Sequence, residues 1–125
     1  MRTARSAALL WSAAALFAMA AHAQAPLKQH DGMLVDQAGM TVYTFDKDDR
    51  NSGKSVCNDQ CAKNWPPVMA KDNAKPEGDY TIIERDDGTR QWAYKGMPLY
   101  TFIKDKAPGD QSGDNVRDVW HIVKP

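Results

Sequence analysis

Two carboxylates at matched positions are the residues to which a chemical role is most readily assigned. Residues 39–48 read GMTVYTFDKD and residues 96–105 read GMPLYTFIKD, with Gly, Met, Tyr, Thr, Phe, Lys and Asp shared position by position. The repeated acids are Asp48 and Asp105. Paired carboxylates can act as a general acid and base or can hold a metal ion. The duplicated segment therefore suggests either an active-site pair or a duplicated piece of scaffold.

The alternation of side chains in the two segments favours the scaffold interpretation. On a strand, Tyr43 and Phe45 point to one face, and Tyr100 and Phe102 do the same in the second copy. We expect these rings to pack in the core, with each hydroxyl bonded at its edge. The two aspartates are then expected to accept backbone N–H groups in the turns that follow the strands. Whether they also converge on each other is left open by the sequence.

Cys57 and Cys61 are the two cysteines of the chain. Residues four apart on a helical turn have Cα atoms ~6 Å apart, which a disulfide tolerates. In an exported protein such a pair is most simply a structural disulfide. The alternative is a redox or copper-binding dithiol, although dithiol oxidoreductases favour a two-residue spacing.

Soft side chains offer a second possible metal site. His30 and Met33 are close in sequence, and His121 lies near the end of the second repeat. Imidazole and thioether ligands suit copper. Met40 and Met97 each follow the glycine of the repeated segment, which fits matched core or rim residues better than ligands. The sequence therefore predicts no cofactor. If a metal does bind, the candidate ligands are His30, Met33 and His121.

The elements that must position these residues read as short strands separated by turn signals. β-branched and aromatic runs alternate with Asp-Gly, Lys-Gly and Asp-Gln-Ala-Gly turns, and a short helical turn is expected near Cys57–Trp65. Two pseudo-repeats, about 27–70 and 79–125, are joined by a polar stretch and must pack together to bury their apolar faces. We predict an all-β fold, a small antiparallel sandwich or partly open barrel of seven or eight strands.

The beginning of the chain has the features of a secretory signal. Arg2 and Arg5 precede the apolar run 7–21, which at ~15 residues is shorter than the ~20 that span a bilayer. Small residues at the positions that a signal peptidase reads place the expected cleavage after Ala23. We therefore expect a signal peptide at 1–23 and a single periplasmic or secreted β-domain at 24–125. No Cys stands at the cleavage point, so no lipid anchor is expected.

Composition and motifs exclude several classes of function. Without Arg2 and Arg5 the chain carries 14 basic and 16 acidic residues, interspersed, and this balance gives no basic patch for nucleic acid or anionic lipid. No G-x-S-x-G motif, plausible Cys–His pairing or Gly-rich phosphate loop occurs. The sequence predicts a protein that is not an enzyme.

Together the repeated motifs resemble a known family of secreted repeats, often described as predicted lipoproteins with a Yx(F/W/Y)xxD motif. The resemblance rests on Tyr43-x-Phe45-x-x-Asp48, Tyr100-x-Phe102-x-x-Asp105, Cys57-x-x-x-Cys61-Ala-x-x-Trp65-Pro-Pro67, the segment 86–96 and Val119-Trp-His121. It spans essentially all of residues 24–125, although the anchoring Cys of many relatives is absent. The family implies no established activity.

The sequence thus favours a non-enzymatic binding or structural module, whose partner would be a periplasmic protein or another component of the cell envelope. The alternative is a periplasmic copper or redox-linked protein that uses His and Met, with or without Cys57 and Cys61.

Overall fold

The computed structural model describes residues 26–125. The predicted signal peptide and its cleavage site after Ala23 lie outside the described residues.

Seven short strands and two helical turns follow one another along this part of the chain. They are β1 (Leu27–His30), β2 (Met33–Asp36), β3 (Tyr43–Phe45), α1 (Gln60–Asn64), β4 (Tyr80–Glu84), β5 (Arg90–Tyr94), β6 (Met97–Pro98), a 3₁₀ turn (Val116–Asp118) and β7 (Trp120–Ile122). All strand pairs are antiparallel: β1 with β2, β3 with β7, and β4–β5–β6 in a three-stranded sheet. The prediction of an antiparallel all-β fold is confirmed, and no closed barrel forms among residues 26–125.

Two hairpin turns explain why these strands pair in this register. Asp31 and Gly32 both have positive φ, 52° and 77°, and so do Lys95 and Gly96, at 49° and 87°. Two successive left-handed residues twist a two-residue hairpin in the sense that matches its strands. The sequence signals at both places were therefore accurate.

Backbone pairing between the two repeats joins them into one unit. Tyr43 N–H donates to the carbonyl of Tyr100 at 2.7 Å, and Tyr100 N–H donates to the carbonyl of Tyr43 at 2.9 Å. β7, from the second repeat, pairs with β3, from the first, so that Phe45 lies opposite Trp120. The duplicated Tyr positions therefore lie at a pseudo-twofold axis between the repeats.

Strand β6 is short because the chain changes its pairing partner soon after Pro98. After Pro98, Leu99 N–H still donates to Trp92 of β5, but the next residue, Tyr100, pairs with Tyr43 instead. The chain thus leaves one sheet for another after two strand residues.

No strand begins at Trp65, although β7 begins at Trp120 in the second repeat. Pro66 and Pro67 have no N–H to donate to a ladder, and only an isolated bridge joins Pro67 to Tyr100. The helical turn predicted near Cys57–Trp65 is present as α1.

Buried side chains form two clusters. The first packs around Trp92 and contains Leu27, Leu34, Val42, Val68, Ala70, Leu99 and Val123. The second contains Tyr43, Phe45, Cys57, Trp65, Tyr100 and Trp120. The second cluster contains three of the four repeated motif aromatics, with Phe102 packed against it, and the candidate site is built on it.

Candidate functional site

Each motif tyrosine is bonded to the aspartate of the other repeat. The hydroxyl of Tyr43 donates to Oδ2 of Asp105, and the hydroxyl of Tyr100 donates to Oδ2 of Asp48, both at 2.6 Å. All four side chains are buried. The motif Tyr-x-Phe-x-x-Asp is therefore completed across the pseudo-twofold axis and not within one repeat.

The remaining oxygen of each aspartate accepts a backbone N–H, as the sequence suggested. Oδ1 of Asp48 accepts the N–H of Val56 at 2.7 Å, and Oδ1 of Asp105 accepts the N–H of Ser112 at 2.9 Å. The Ser112 hydroxyl also donates to Asp105. Both oxygens of each carboxylate thus accept a hydrogen bond, and the donors differ between the two aspartates.

Burial dominates the electrostatics of these groups. Burial raises the pKa of Asp48 above its ordinary value, and the bonds from Tyr100 and Val56 only partly oppose this effect. Burial and the bonded aspartates also raise the pKa of both Tyr43 and Tyr100 far above the usual value of a phenol. The tyrosines therefore remain neutral donors over the physiological pH range.

A buried arginine supports one of the two crossed pairs. Arg85 donates to the hydroxyl of Ser55 at 3.0 Å, to Oε1 of Gln91 at 2.7 Å and to the carbonyl of Cys57 at 2.6 Å. The oxygens of Ser55 and Tyr100 are 2.5 Å apart. Since Tyr100 donates to Asp48, its oxygen accepts from Ser55, which gives a directed chain from Arg85 to the carboxylate. No pattern in the sequence indicated that Arg85 is buried, because a lone Arg beside a turn is usually exposed.

The cysteines are joined by a disulfide that lies beside this network. The sulfurs of Cys57 and Cys61 are bonded, with Cα atoms 5.1 Å apart. Cys57 is fully buried, and the Trp65 N–H donates to the carbonyl of Cys61 at the end of α1. The disulfide thus fixes the helical turn that places Trp65 in the second cluster.

Four aromatic rings form a continuous stack across the pseudo-twofold axis, in the order Phe45, Trp120, Trp65, Phe102. Successive ring centres are 4.1, 3.8 and 4.0 Å apart, and the ring planes differ by 11°, 3° and 17°. The stack contributes dispersion and apolar burial where the repeats meet. Both faces of each tryptophan are covered by a neighbouring ring, so only the edges of the indoles can meet another molecule.

A cleft of about 650 Å³ opens beside this four-ring stack. Its walls come from matched parts of the two repeats: the ends of the motif segments, α1 and the 3₁₀ turn. The lining residues are Phe45, Lys47, Gln60, Cys61, Asn64, Trp65, Phe102, Ile103, Lys104, Val116, Arg117, Val119 and Trp120. The cleft therefore straddles the pseudo-twofold axis.

A model of one protein family matches this chain twice, over residues 27–69 and 81–124. The chain belongs to the family described as a secreted repeat of unknown function. No curated protein and no solved structure matches it. The resemblance drawn from the motifs is thereby confirmed, and the two matched segments are the two halves that meet at the cleft.

Three cations stand around the cleft of this secreted-repeat protein. Lys47 and Lys104 occupy equivalent positions in the two repeats, and Arg117 lies in the 3₁₀ turn. The sequence reasoning did not single these residues out. A signal was present for the lysines, because both are among the seven positions shared by the duplicated segments. Arg117 has no equivalent in the first repeat, so the duplication does not point to it.

The candidate copper ligands are placed on separate elements. His30 is exposed at the end of β1 and lies 3.3 Å from Asp31, while Met33 is buried. His121 lies on β7, with Nε2 at 2.7 Å from Oδ2 of Asp46. Within residues 26–125, no group of three or more His, Cys, Asp and Glu side chains is arranged to hold a metal ion.

The predicted signal peptide makes it relevant whether the described part of the chain could cross a membrane. Across residues 26–125, no helix combines the length and the apolar character that crossing a membrane requires.

Proposed function

We propose that this secreted-repeat protein is a non-enzymatic binding module and that the cleft beside the four-ring stack is its binding site. The observation that carries the proposal is an open volume of about 650 Å³ at the interface of the repeats. Small-molecule sites typically enclose about 300–1,000 Å³ and are walled by aromatic and apolar side chains with a few polar groups. The cleft has this size and this mixture.

A purely structural role would not require this open volume. Protein interiors are normally packed to the density of organic crystals. Here the second buried cluster meets open space along one side, where Val116, Val119 and Ile103 add apolar surface. Ile103 is more than half exposed. These side chains lie where a ligand would cover them.

The absence of catalysis is part of the same proposal. Asp48 and Asp105, the two acids that a hydrolytic mechanism would use, are buried and already accept hydrogen bonds on both oxygens. Neither lines the cleft. A general base must reach the proton that it removes, and this position argues against such a role.

We also propose that the protein acts in the periplasm after cleavage behind Ala23. The family description as secreted supports export, and the sequence of residues 1–23 supports the signal peptide. Intact mass spectrometry of the protein recovered from the periplasm would test this. The expected mass is that of a chain beginning at Gln24. The mass of a chain that still contains residues 1–23 would contradict the proposal.

The binding proposal is tested by screening a fragment library of mixed charge while recording amide and indole shifts by NMR. Fragments that bind are expected to shift the signals of Trp65 and Trp120. The variant Gln60→Trp places a large ring at the cleft wall and should abolish these shifts, because Gln60 is exposed there.

Gln111→Trp is the matched control, since Gln111 is exposed and does not line the cleft. It should bind the same fragments as the natural protein. If no fragment shifts cleft residues, or if Gln60→Trp leaves binding intact, the cleft is not a binding site.

A further inference from the structure

We infer that the cleft selects a small organic anion, in which one acidic group is attached to an apolar body. This inference rests on the proposed function and specifies the chemical class of its ligand. It is carried by the distribution of charge and polar donors around the cleft.

The charges that line the cleft have one sign. Three lining side chains, Lys47, Lys104 and Arg117, are cationic, and no described acidic side chain lines it. The salt bridges found among residues 26–125 join only His30 to Asp31 and His121 to Asp46, so none of the three cations forms a salt bridge with a described carboxylate. The whole chain has equal numbers of acidic and basic residues. The cleft is thus a cationic site on a protein without net basic character.

The apolar lining of the cleft indicates that the ligand has an apolar body. The four-ring stack and the neighbouring aliphatic side chains contribute apolar surface to the same cleft that the three cations line. Because both faces of Trp65 and Trp120 are covered, the indoles offer their edges. Ring edges carry the positive end of the aromatic quadrupole. They favour an electron-rich ring face or an anionic oxygen and disfavour a cation, which prefers ring faces.

Indole donors provide a second, independent indication. Trp65 and Trp120 are only 6% and 3% exposed, and both line the cleft. No residue among 26–125 accepts a hydrogen bond from either indole N–H by the contacts that the structure shows. Buried indole N–H groups usually have a partner. An acceptor on a bound molecule would supply it.

The backbone that presents Arg117 is strained. Arg117 and Asp118 have φ of 53° and 60°, in the left-handed region that residues other than glycine rarely adopt. Such conformations persist where the surrounding structure imposes them, and they cluster at binding sites. The strained turn holds Arg117, the third cation, beside the cleft. The first repeat has no cationic residue at the equivalent position.

Three naphthalene compounds of similar size test the sign of the preferred charge: 2-naphthoate, 2-naphthalenemethanol and 2-naphthylmethylammonium. Affinities and sites are read from NMR titrations of the folded protein. We expect 2-naphthoate to bind at least tenfold more tightly than the alcohol, with shifts at both indole N–H groups, and the ammonium compound to bind weakest. Comparing the affinities of octanoate and 2-naphthoate shows whether the cleft prefers an aliphatic or an aromatic ligand body.

Charge removal supplies the matched variants. Lys47→Gln combined with Lys104→Gln should weaken 2-naphthoate about tenfold and leave the alcohol unchanged. Lys75→Gln, in the exposed stretch between the repeats, should change neither. Raising salt should weaken the anion alone, because exposed charges are screened.

The outcomes separate this inference from the proposed function. Binding of the alcohol or the ammonium compound in the cleft as tightly as 2-naphthoate would overturn the anion preference and leave the binding module standing. A lysine double variant that binds 2-naphthoate unchanged would do the same. If none of the four compounds shifts a cleft residue, the anion preference fails, and the fragment screen then decides about the binding module.

Discussion

The hydroxyl of Tyr43 donates a hydrogen bond to Asp105, 62 residues later in the chain, at 2.6 Å. The equivalent bond from Tyr100 to Asp48 has the same length. The duplicated motif is therefore a reciprocal clasp between two repeats, and its acids hold the scaffold on which the cleft is built.

Double-mutant cycles should show coupling across the repeats and not within them. Tyr43→Phe and Asp105→Asn are expected to couple by ~1–2 kcal/mol in the free energy of unfolding. With Oδ1 held by Ser112, the introduced amide nitrogen would face the hydroxyl and could not accept from it. Urea denaturation of the single and double variants measures the coupling.

The within-repeat pair is the control for this cycle. Tyr43→Phe and Asp48→Asn share no hydrogen bond and should be additive to within ~0.5 kcal/mol. Stronger coupling of Tyr43 with Asp48 than with Asp105 would show that the clasp is not crossed.

Asp48 should make the protein less stable as pH rises. Because its folded-state pKa is raised above 3.8, the folded state retains this proton to higher pH than the unfolded state does. The contribution of Asp48 to the free energy of unfolding is therefore largest below pH 3.8 and falls as pH passes through the folded-state pKa.

Comparison with Asp48→Asn isolates this effect. The stability of the natural protein relative to the variant should decrease with pH across that window, in urea titrations at matched pH values. Carboxyl-carbon NMR should show Asp48 titrating above its ordinary value. Titration below 3.8, or a relative stability that grows with pH, would contradict the expectation.

The two motif phenylalanines should differ in their contribution to stability. Phe45 is 8% exposed and stacks on Trp120, so Phe45→Ala should cost ~3–5 kcal/mol. Phe102 stacks on Trp65 but is only partly buried beside the cleft. Its replacement by Ala should cost less, ~1–3 kcal/mol. Chemical denaturation measures the free energy of unfolding of both variants. Equal losses would contradict the smaller contribution expected from Phe102, which lies at the exposed end of the stack.

Loss of the disulfide should have a modest effect on global stability and a larger local effect. The loop between Cys57 and Cys61 is short, so the unfolded-state contribution is ~2 kcal/mol. Replacing both by Ala should lower the free energy of unfolding by about this amount and increase hydrogen exchange in α1. Reduction of the natural protein should give the same result. An unchanged denaturation midpoint under reducing conditions would contradict it.

Local patterns in the sequence predicted most of the elements of this fold. Asp31-Gly32 and Lys95-Gly96 have the residue types that a two-residue hairpin requires, and the spacing of Cys57 and Cys61 fits the turn that they close. These features depend on neighbours along the chain. The shortened β6 did not follow from such patterns, because Tyr100 pairs with a strand of the other repeat.

The site was less predictable for the same physical reason. Spacing within a motif gives the face of a strand to which Tyr43 points, but it cannot say which repeat supplies its acceptor. The burial of Arg85 depends on four oxygens brought together from separate segments. Lys47 and Lys104 carried a signal in the duplication, whose meaning appears only when the cleft between the repeats is known.

The crossed clasp also has a consequence for chains that carry a single copy of the motif. Such a chain would contain one Tyr and one Asp in the roles of Tyr43 and Asp48, and neither could bond to the other in this geometry. Two identical chains related by a twofold axis would satisfy both, through the self-complementary contact of a symmetric dimer. The present chain is in this sense a dimer held within one polypeptide, and its cleft is the surface that the two subunits would share.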